Sequence, residues 1–177
     1  MKFTMDVVIE YAKVFLETRD MGEGDNDAAR KAASTDGAYS SNAYFTSEDQ
    51  ITQLLDNGMV PVVLSHPRIK EGRDFGIGKY LTLKRSHDHK MNFKDRAGKD
   101  VEVDFGGPPT MINLTNGKEN KALWTLEGDG DLGHGTRAKI QFETYKNGVG
   151  LRLLNIAVLD HVVREDAVSE DDDLFVI

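Results

Sequence analysis

Residues 136–145 read TRAKIQFETY, and this stretch carries the clearest fold signal in the chain. The apolar residues Ala138, Ile140 and Phe142 alternate with polar ones, which predicts a strand with one face in a core. The residues expected on the opposite face are Arg137, Lys139, Gln141 and Tyr145. Asn147-Gly148 is a hairpin dipeptide, and it leads into residues 151–163, which are apolar on both faces. We therefore expect a hairpin whose second strand lies centrally in a sheet.

Further strands are predicted on both sides of this hairpin. Segments that are β-branched, aromatic or alternating occur at residues 7–15, 39–45, 79–85 and 101–105. In residues 79–85, Leu81 and Leu83 point toward the core, whereas Tyr80, Thr82 and Lys84 point away from it. Residues 59–64 contain Pro61, which predicts a short edge strand or an extended connection. His66-Pro67 is expected to open a turn, and residues 95–98 to form a hairpin tip.

One helix is predicted from the sequence. Residues 47–50 read SEDQ, which has the form of a capping box, and Ile51, Leu54 and Leu55 follow at helical spacing. Residues 19–37 are expected to be a long loop with at most a helical turn at 28–33.

The predicted elements are about six or seven strands and one helix, which indicates a predominantly β domain (β-rich α+β). A small barrel is the most economical closure because it removes exposed sheet edges.

The charge of the chain is segregated along its length. The net charge is -8, yet residues 66–99 hold ten basic and four acidic residues. Residues 165–177 hold six carboxylates and no basic residue, and they end in Leu174-Phe175-Val176-Ile177. We therefore divide the chain into a folded domain, 1–164, and a disordered acidic tail, 165–177, whose apolar tip is a candidate docking peptide. A frayed, solubilising terminus is the alternative interpretation. The tail residues expected to bind a partner are Glu170, Asp171, Asp172, Asp173 and Phe175.

Several functional classes find little support in the sequence. There is no cysteine, which removes disulfides and thiolate chemistry. No signal peptide or membrane-spanning run is evident, so we expect a cytoplasmic protein. Residues 72–79 resemble a phosphate-binding loop, but Arg73 and Tyr80 replace the glycine and hydroxyl residue that it requires. His87 and His89 supply only two imidazoles for a metal. We expect no enzyme activity, no metal and no cofactor.

The basic segment instead has what binding of single-stranded nucleic acid requires, namely cations for phosphates and aromatic rings for bases. Each member has a simpler explanation, since a tyrosine on a strand is often half-buried packing and a basic hairpin is often only solvated surface. The combination is more informative, because two separate strands carry a ring and cations on their non-core faces. The candidate residues are Arg68, Lys70, Arg73, Phe75, Lys79, Tyr80, Lys84, Arg85, Lys94, Arg96, Arg137, Lys139 and Tyr145. Trp124 is expected in the core.

Five short blocks resemble a known family. They are HPRIKEG at 66–72, GIGKYLTLKR at 76–85, FGGPP at 105–109, GHGT at 133–136 and KNGVGLRL at 146–153. They are similar to blocks in bacteriophage single-stranded DNA-binding proteins with an OB-fold core, and the resemblance covers most of residues 1–164 and extends to the acidic tail. The family pattern of a single terminal phenylalanine is not kept, because Val176 and Ile177 follow Phe175.

The resemblance implies an OB-like barrel that coats replication and recombination intermediates in the infected host cell. It implies single-stranded DNA as the ligand, bound by base stacking and phosphate neutralisation. It also implies that the acidic tail recruits phage or host replication proteins. The alternative is a non-enzymatic virion or host-takeover module, in which the basic hairpin and the acidic tail are both protein contacts.

Overall fold

The structure is a computed structural model, and it describes residues 1–57, 62–63, 66–67, 69–145 and 150–164. Arg68 and the whole acidic tail, with Glu170, Asp171, Asp172, Asp173 and Phe175, lie outside the described residues. Two short 3-10 turns occur at Leu16–Thr18 and Lys118–Asn120. The helices and strands are, in chain order, β1 (Lys2–Lys13), α1 (Asp27–Ser34), β2 (Ala38–Phe45), α2 (Glu48–Asp56), β3 (Val62–Val63), β4 (His66–Pro67), β5 (Lys70–Glu71), β6 (Lys79–Ser86), β7 (Lys90–Lys94), β8 (Asp100–Asp104), β9 (Thr110–Asn113), β10 (Ala122–Leu123), α3 (Leu126–Asp129), β11 (Thr136–Tyr145) and β12 (Gly150–Asp160).

Eight of the described strands form one mixed sheet in the order β10-β9-β12-β11-β1-β2-β6-β5. Within it β12 and β9 are parallel, and the other neighbouring pairs are antiparallel. The sheet curves so that β6 approaches β12, and Arg85 Nη1 donates to the carbonyl of Leu153 at 3.2 Å across that gap. The five longest strands are neighbours in the order β12-β11-β1-β2-β6, and β6 returns toward β12. This is the strand order of a partly open, OB-like barrel. The prediction of a β-rich fold is confirmed.

The core fills the inside of this curved sheet. On β11, Ala138 and Ile140 are fully buried and Phe142 is 1% exposed, as the alternation predicts. Leu81 and Leu83 of β6 are buried in the same cluster. Strand β12 lies between β11 and β9, so its predicted central position is confirmed. Trp124 is also buried, and its indole N–H donates to the carbonyl of Gly130 at 2.9 Å.

Helix α2 is confirmed, but the capping box is wrong. The Ser47 side chain makes no cap hydrogen bond. Gln50 instead accepts from the backbone N–H of Thr46 at 2.8 Å and donates to the carbonyl of Asp6 at 2.8 Å. Gln50 therefore ties the start of the helix to β1, and this contact between distant parts of the chain replaces the expected local bond. The helical turn expected at 28–33 is longer than predicted and forms α1, which Asn26 caps by accepting from Ala29 N–H.

The hairpin tip predicted at 95–98 is confirmed, since β7 and β8 pair on either side of it. His66-Pro67, predicted to open a turn, instead forms β4 and pairs with β3. Strand β9 was not predicted, because its four residues have no clear alternation. No helix in the described parts of the chain is long and apolar enough to span a membrane.

Candidate nucleic-acid interface

The two strand faces predicted to carry rings and cations belong to one surface of the sheet. We call the non-core surface of β5, β6, β2, β1 and β11 the outer face. Strand register places one row of residues directly across it. Neighbouring strands are about 4.8 Å apart, so the row measures roughly 19 Å from β5 to β11. The row consists of Lys70, Tyr80, Tyr44, Val8 and Arg137, and Asp160 of β12 stands next to it.

A second row on the outer face adds cations. Lys84 is exposed and stands opposite Ser40, which stands opposite Lys13. Lys13 was not predicted, because it ends an apolar strand that gives no sign of which face it occupies. Within the described residues, Lys13, Lys84 and Arg137 form no ion pair within 4.0 Å. Lys13 and Lys84 are therefore available to an anionic ligand, and Arg137 is available as well, although Asp160 stands opposite it on β12.

Residues 70–78 fold over part of the outer face, and we call them the covering loop. Ile77 N–H donates to the carbonyl of Phe45 at 2.9 Å, and Arg73 N–H donates to the Tyr44 hydroxyl at 3.0 Å. A Cβ at Gly72 would lie 2.2 Å from that hydroxyl oxygen, so only glycine permits this close approach. As a result, Tyr44 is 1% exposed although it points away from the core.

Tyr80 and Phe75 pack on Tyr44. The ring centroids of Tyr44 and Tyr80 are 4.9 Å apart, and those of Tyr44 and Phe75 are 5.5 Å apart. Tyr80 thus lies on the predicted face but is half-buried, and part of its ring is already in contact. Burial raises the pKa of Tyr44 above its usual value, and a hydrogen bond to Glu10 adds to the rise. The three rings form one aromatic cluster whose outer members are partly accessible.

The covering loop is held by a buried carboxylate. The Glu10 side chain is 4% exposed, and its Oε1 accepts from Asn42 Nδ2 at 3.2 Å and from the Tyr44 hydroxyl at 3.1 Å. Arg73 Nε lies 3.0 Å from Glu10 Oε2, which is an ion-pair distance, although the N–H does not aim at that oxygen. Arg73 Nη2 donates to the Tyr11 hydroxyl at 2.8 Å. The guanidinium is therefore fixed from two sides.

Tyr11 was missed by the sequence analysis. It lies where the β1–β2 register shifts, has a φ of +50° and is 56% exposed. Its backbone N–H donates to His134 Nδ1 at 3.0 Å, and the two rings meet edge to face with centroids 4.5 Å apart. The one feature of the sequence that could have pointed to Tyr11 is that Glu10-Tyr11 interrupts an apolar strand. Nothing in that pattern indicates a left-handed residue or a contact with His134.

Two other predicted cations are paired, and of the two Lys139 lies on the outer face, whereas Lys79 alternates to the same side of β6 as Leu81 and Leu83. Lys79 Nζ lies 3.1 Å from Glu48 Oε1, and Lys139 Nζ lies 3.7 Å from Asp6 Oδ1. Both ion pairs are partly exposed, so they are weak and exchangeable.

Arg85 is placed differently from the other candidates. Its alternation with Leu81 and Leu83 turns it to the core side, where it stands opposite Tyr39. Its guanidinium donates to three backbone carbonyls, and burial lowers its pKa from the usual value. The acceptors are Gly107 at 2.7 Å, Gly106 at 3.0 Å and Leu153 at 3.2 Å. Arg85 therefore joins β6 to the approach of β12 and is not part of the outer face.

Strands β7 and β8 form a two-stranded ribbon in which all ten residues are exposed. Lys94 lies in this ribbon and Arg96 at its tip. Lys90 and Lys94 stand directly opposite Asp104 and Asp100, while Asn92 stands opposite Glu102. The acidic residues begin just after position 99, where the basic segment of the sequence ends. The ribbon is consequently close to neutral, and the strong positive charge of residues 66–99 does not extend over it.

Tyr145 lies far from Arg137 along β11, at about 26 Å for eight residues of strand. The Cζ of Arg152 is 5.1 Å from the Tyr145 ring and 5.1 Å from the Phe105 ring. Arg152 Nη1 also donates to Glu143 Oε1 at 2.9 Å. Tyr145 is 39% exposed but belongs to this separate group.

No protein-family model, curated protein or solved structure matches this chain. In the described parts of the chain, no group of three or more histidine, aspartate or glutamate side chains could hold a metal ion.

Proposed function

We propose that this chain is a single-stranded DNA-binding protein of the bacteriophage type. In this proposal it coats replication and recombination intermediates in the infected host cell and performs no catalysis. The observation that carries the proposal is the outer face, where Tyr80, Lys84 and Arg137 share one curved surface. Proteins that bind single strands without strong sequence preference combine a positive track for the backbone with rings for the bases.

In this proposal, basic residues contact the phosphates and aromatic residues contact the bases. Lys13, Lys84 and Arg137 would neutralise phosphates, since none of them has an ion-pair partner in the described part of the chain. The accessible parts of Tyr80 and Phe75 would contact bases. Lys139 would exchange its exposed partner Asp6 for a phosphate at small cost. The acidic tail is proposed to recruit replication proteins.

The test is a titration of labelled oligo-dT, followed by fluorescence anisotropy at several salt concentrations. Neutralised phosphates release counterions, so affinity should fall steeply and linearly on a log-log scale as salt rises. The double variant Lys84→Gln, Arg137→Gln should flatten that slope by about 1.4, since each phosphate neutralised on a single strand contributes about 0.7. The matched control is Lys118→Gln, Lys121→Gln, which removes the same charge from two exposed lysines between β9 and β10. Affinity independent of salt would contradict the proposal.

A protein-interaction module is the second candidate, and one observation favours it. On one side of the β7–β8 ribbon, Met91 stands opposite Val103 and Phe93 opposite Val101, and all four side chains are at least 36% exposed. An exposed apolar patch of this kind is typical of a protein contact. Folded protein that binds no oligonucleotide at low salt would favour this second candidate over the first.

A further inference from the structure

We propose that Tyr11 and Arg73 form a subsite for one nucleotide of a single strand, with the base on the Tyr11 ring and a neighbouring phosphate on Arg73. Glu10 and His134 are positioning residues for this subsite. The inference rests on the proposed single-stranded DNA binding and adds to it four residues, of which only Arg73 was predicted from the sequence.

The first observation is the conformation of Tyr11. A bulky side chain at a φ of +50° is strained, and such residues persist only where their surroundings hold them. Here the backbone N–H is held by His134 and the hydroxyl by Arg73. Yet the held ring is 56% exposed, so the strain does not serve to bury it in the core. Holding a strained ring at the surface is useful when the ring itself makes a contact.

The second observation is the set of donors that Arg73 leaves unused. A guanidinium has five N–H bonds in a planar fork. Nε lies at ion-pair distance from Glu10 and one Nη2 hydrogen goes to Tyr11, and the two Nη1 hydrogens and the second Nη2 hydrogen make no hydrogen bond within the described residues. The side chain is 55% exposed, so these donors are accessible to solvent. The guanidinium lies over the Tyr11 ring, with Cζ 5.4 Å from the ring centroid, so a base would stack on the other part of the exposed ring while a neighbouring phosphate bonds these donors.

The third observation is the buried charge behind Arg73. Glu10 is almost fully enclosed and is also bound by Asn42 and Tyr44, so it cannot follow Arg73 if the loop moves. The guanidinium is thereby oriented before any ligand arrives, which lowers the ordering cost of binding. Glu10 also reduces the net charge at this point, so we expect a directed hydrogen-bonding contact and only a modest contribution to long-range attraction.

The subsite is continuous with the rest of the outer face. Arg73 N–H bonds the Tyr44 hydroxyl at 3.0 Å, and the Tyr44 ring packs on Tyr80 at 4.9 Å. One strand of DNA could therefore place successive bases on Tyr11 and Tyr80.

The decisive variant is Tyr11→Gly, because glycine accepts a φ of +50° without strain and keeps the backbone bond to His134. We expect folding stability to be unchanged or higher, while affinity for oligo-dT falls about 5- to 150-fold. On an abasic oligonucleotide of equal length, Tyr11→Gly should lose clearly less affinity than on oligo-dT, because only the hydroxyl bond that orients Arg73 is lost there. Tyr11→Phe should keep most of the oligo-dT affinity, and Arg73→Gln should weaken binding to both probes. Phe93→Ala, which removes an exposed ring on the ribbon, is the control and should change neither.

The outcomes separate this inference from the proposed function. If the wild type binds oligo-dT and Tyr11→Gly binds it equally well, the subsite is wrong and DNA binding stands. Equal losses by Tyr11→Gly on both probes would also overturn it, because the ring would then not be contacting a base. If the folded wild type binds neither probe at low salt, the proposed function fails, and this inference fails with it.

Discussion

The covering loop and the β7–β8 ribbon both carry basic residues, but they hold them in different ways. Arg73 in the loop is held by Glu10, a carboxylate from β1 that is buried. Lys94 in the ribbon stands opposite Asp100, a carboxylate from the next strand that is exposed. Water screens the second arrangement and leaves both side chains free to move. The burial of the opposing charge therefore decides whether a cation is fixed, and the number of cations in a sequence segment does not.

The largest expected difference between the two regions is in folding stability. Arg73→Ala leaves the buried Glu10 carboxylate without its charge partner, and this should lower the free energy of unfolding by about 1–3 kcal/mol. Lys94→Ala should change it by no more than about 0.5 kcal/mol, because both partners stay solvated. Urea denaturation of the two variants and the wild type measures the difference.

A double variant tests the reason for that loss. Glu10→Gln combined with Arg73→Ala removes the isolated charge, so it should be more stable than Arg73→Ala alone. If Arg73→Ala and Lys94→Ala shift the urea midpoint equally, the contrast between the two regions is wrong.

The next expected difference is in the salt dependence of DNA binding. Lys84→Gln should reduce the slope of log affinity against log salt by about 0.7, since Lys84 has no ion-pair partner on the outer face within the described residues. Lys94→Gln should reduce it by clearly less, because Asp100 opposite it already opposes phosphate binding. Anisotropy titrations of both variants against the same oligo-dT compare them directly. Equal slopes would mean that the ribbon contributes to the DNA track as much as the sheet does.

The smallest expected effect is on folding stability at alkaline pH. It concerns Tyr44, which lies under the covering loop, and has no counterpart in the ribbon, since the ribbon contains no tyrosine. Burial raises the pKa of Tyr44 in the folded chain above about 10. Above that pH the unfolded chain loses a proton that the folded chain keeps, so stability should decline as pH rises. Below it, this group contributes no pH dependence.

Tyr44→Phe is the variant that isolates this effect. It removes the titrating hydroxyl, so the decline of the unfolding free energy between about pH 9 and pH 11 should be shallower than in the wild type. The pKa of Tyr39 is also raised by burial, and it remains in both proteins as a common background. Identical pH profiles would show that the Tyr44 proton is not linked to folding.

The sequence predicted those parts of the fold that depend on local pattern. Alternation in residues 136–145 and 79–85 identified two strands and their inward faces, because a strand with one buried face must alternate. It also placed Tyr80 and Lys84 on the face opposite the core. It could not show that the face of Tyr80 and that of Arg137 are the same surface, since this depends on β2 and β1 pairing between them.

What the sequence could not predict depends on partners distant along the chain. Arg85 was interpreted as a DNA contact, but the three carbonyls that bind it come from residues 106, 107 and 153. Glu10 and Tyr11 were read only as part of a strand, because their partners Arg73 and His134 are distant in sequence. Single residues of this kind leave no periodic signal, so only the three-dimensional arrangement reveals them.

The pairing of β1 with β11 has a consequence for the order of events during synthesis. Lys2 pairs with Glu143, and Ile9 pairs with Thr136. Strand β1, the first to be synthesised, therefore cannot complete its pairing until β11, one of the last strands, has been synthesised. At elongation rates of about 5–20 residues per second this delay is on the order of ten seconds, during which the edge of β1 that pairs with β11 has no partner. Pairings this distant in sequence also slow folding, because the chain must close a long loop before it gains any contact. Strand β2, made soon after β1, can pair with the other edge of the first strand while the sheet is still incomplete.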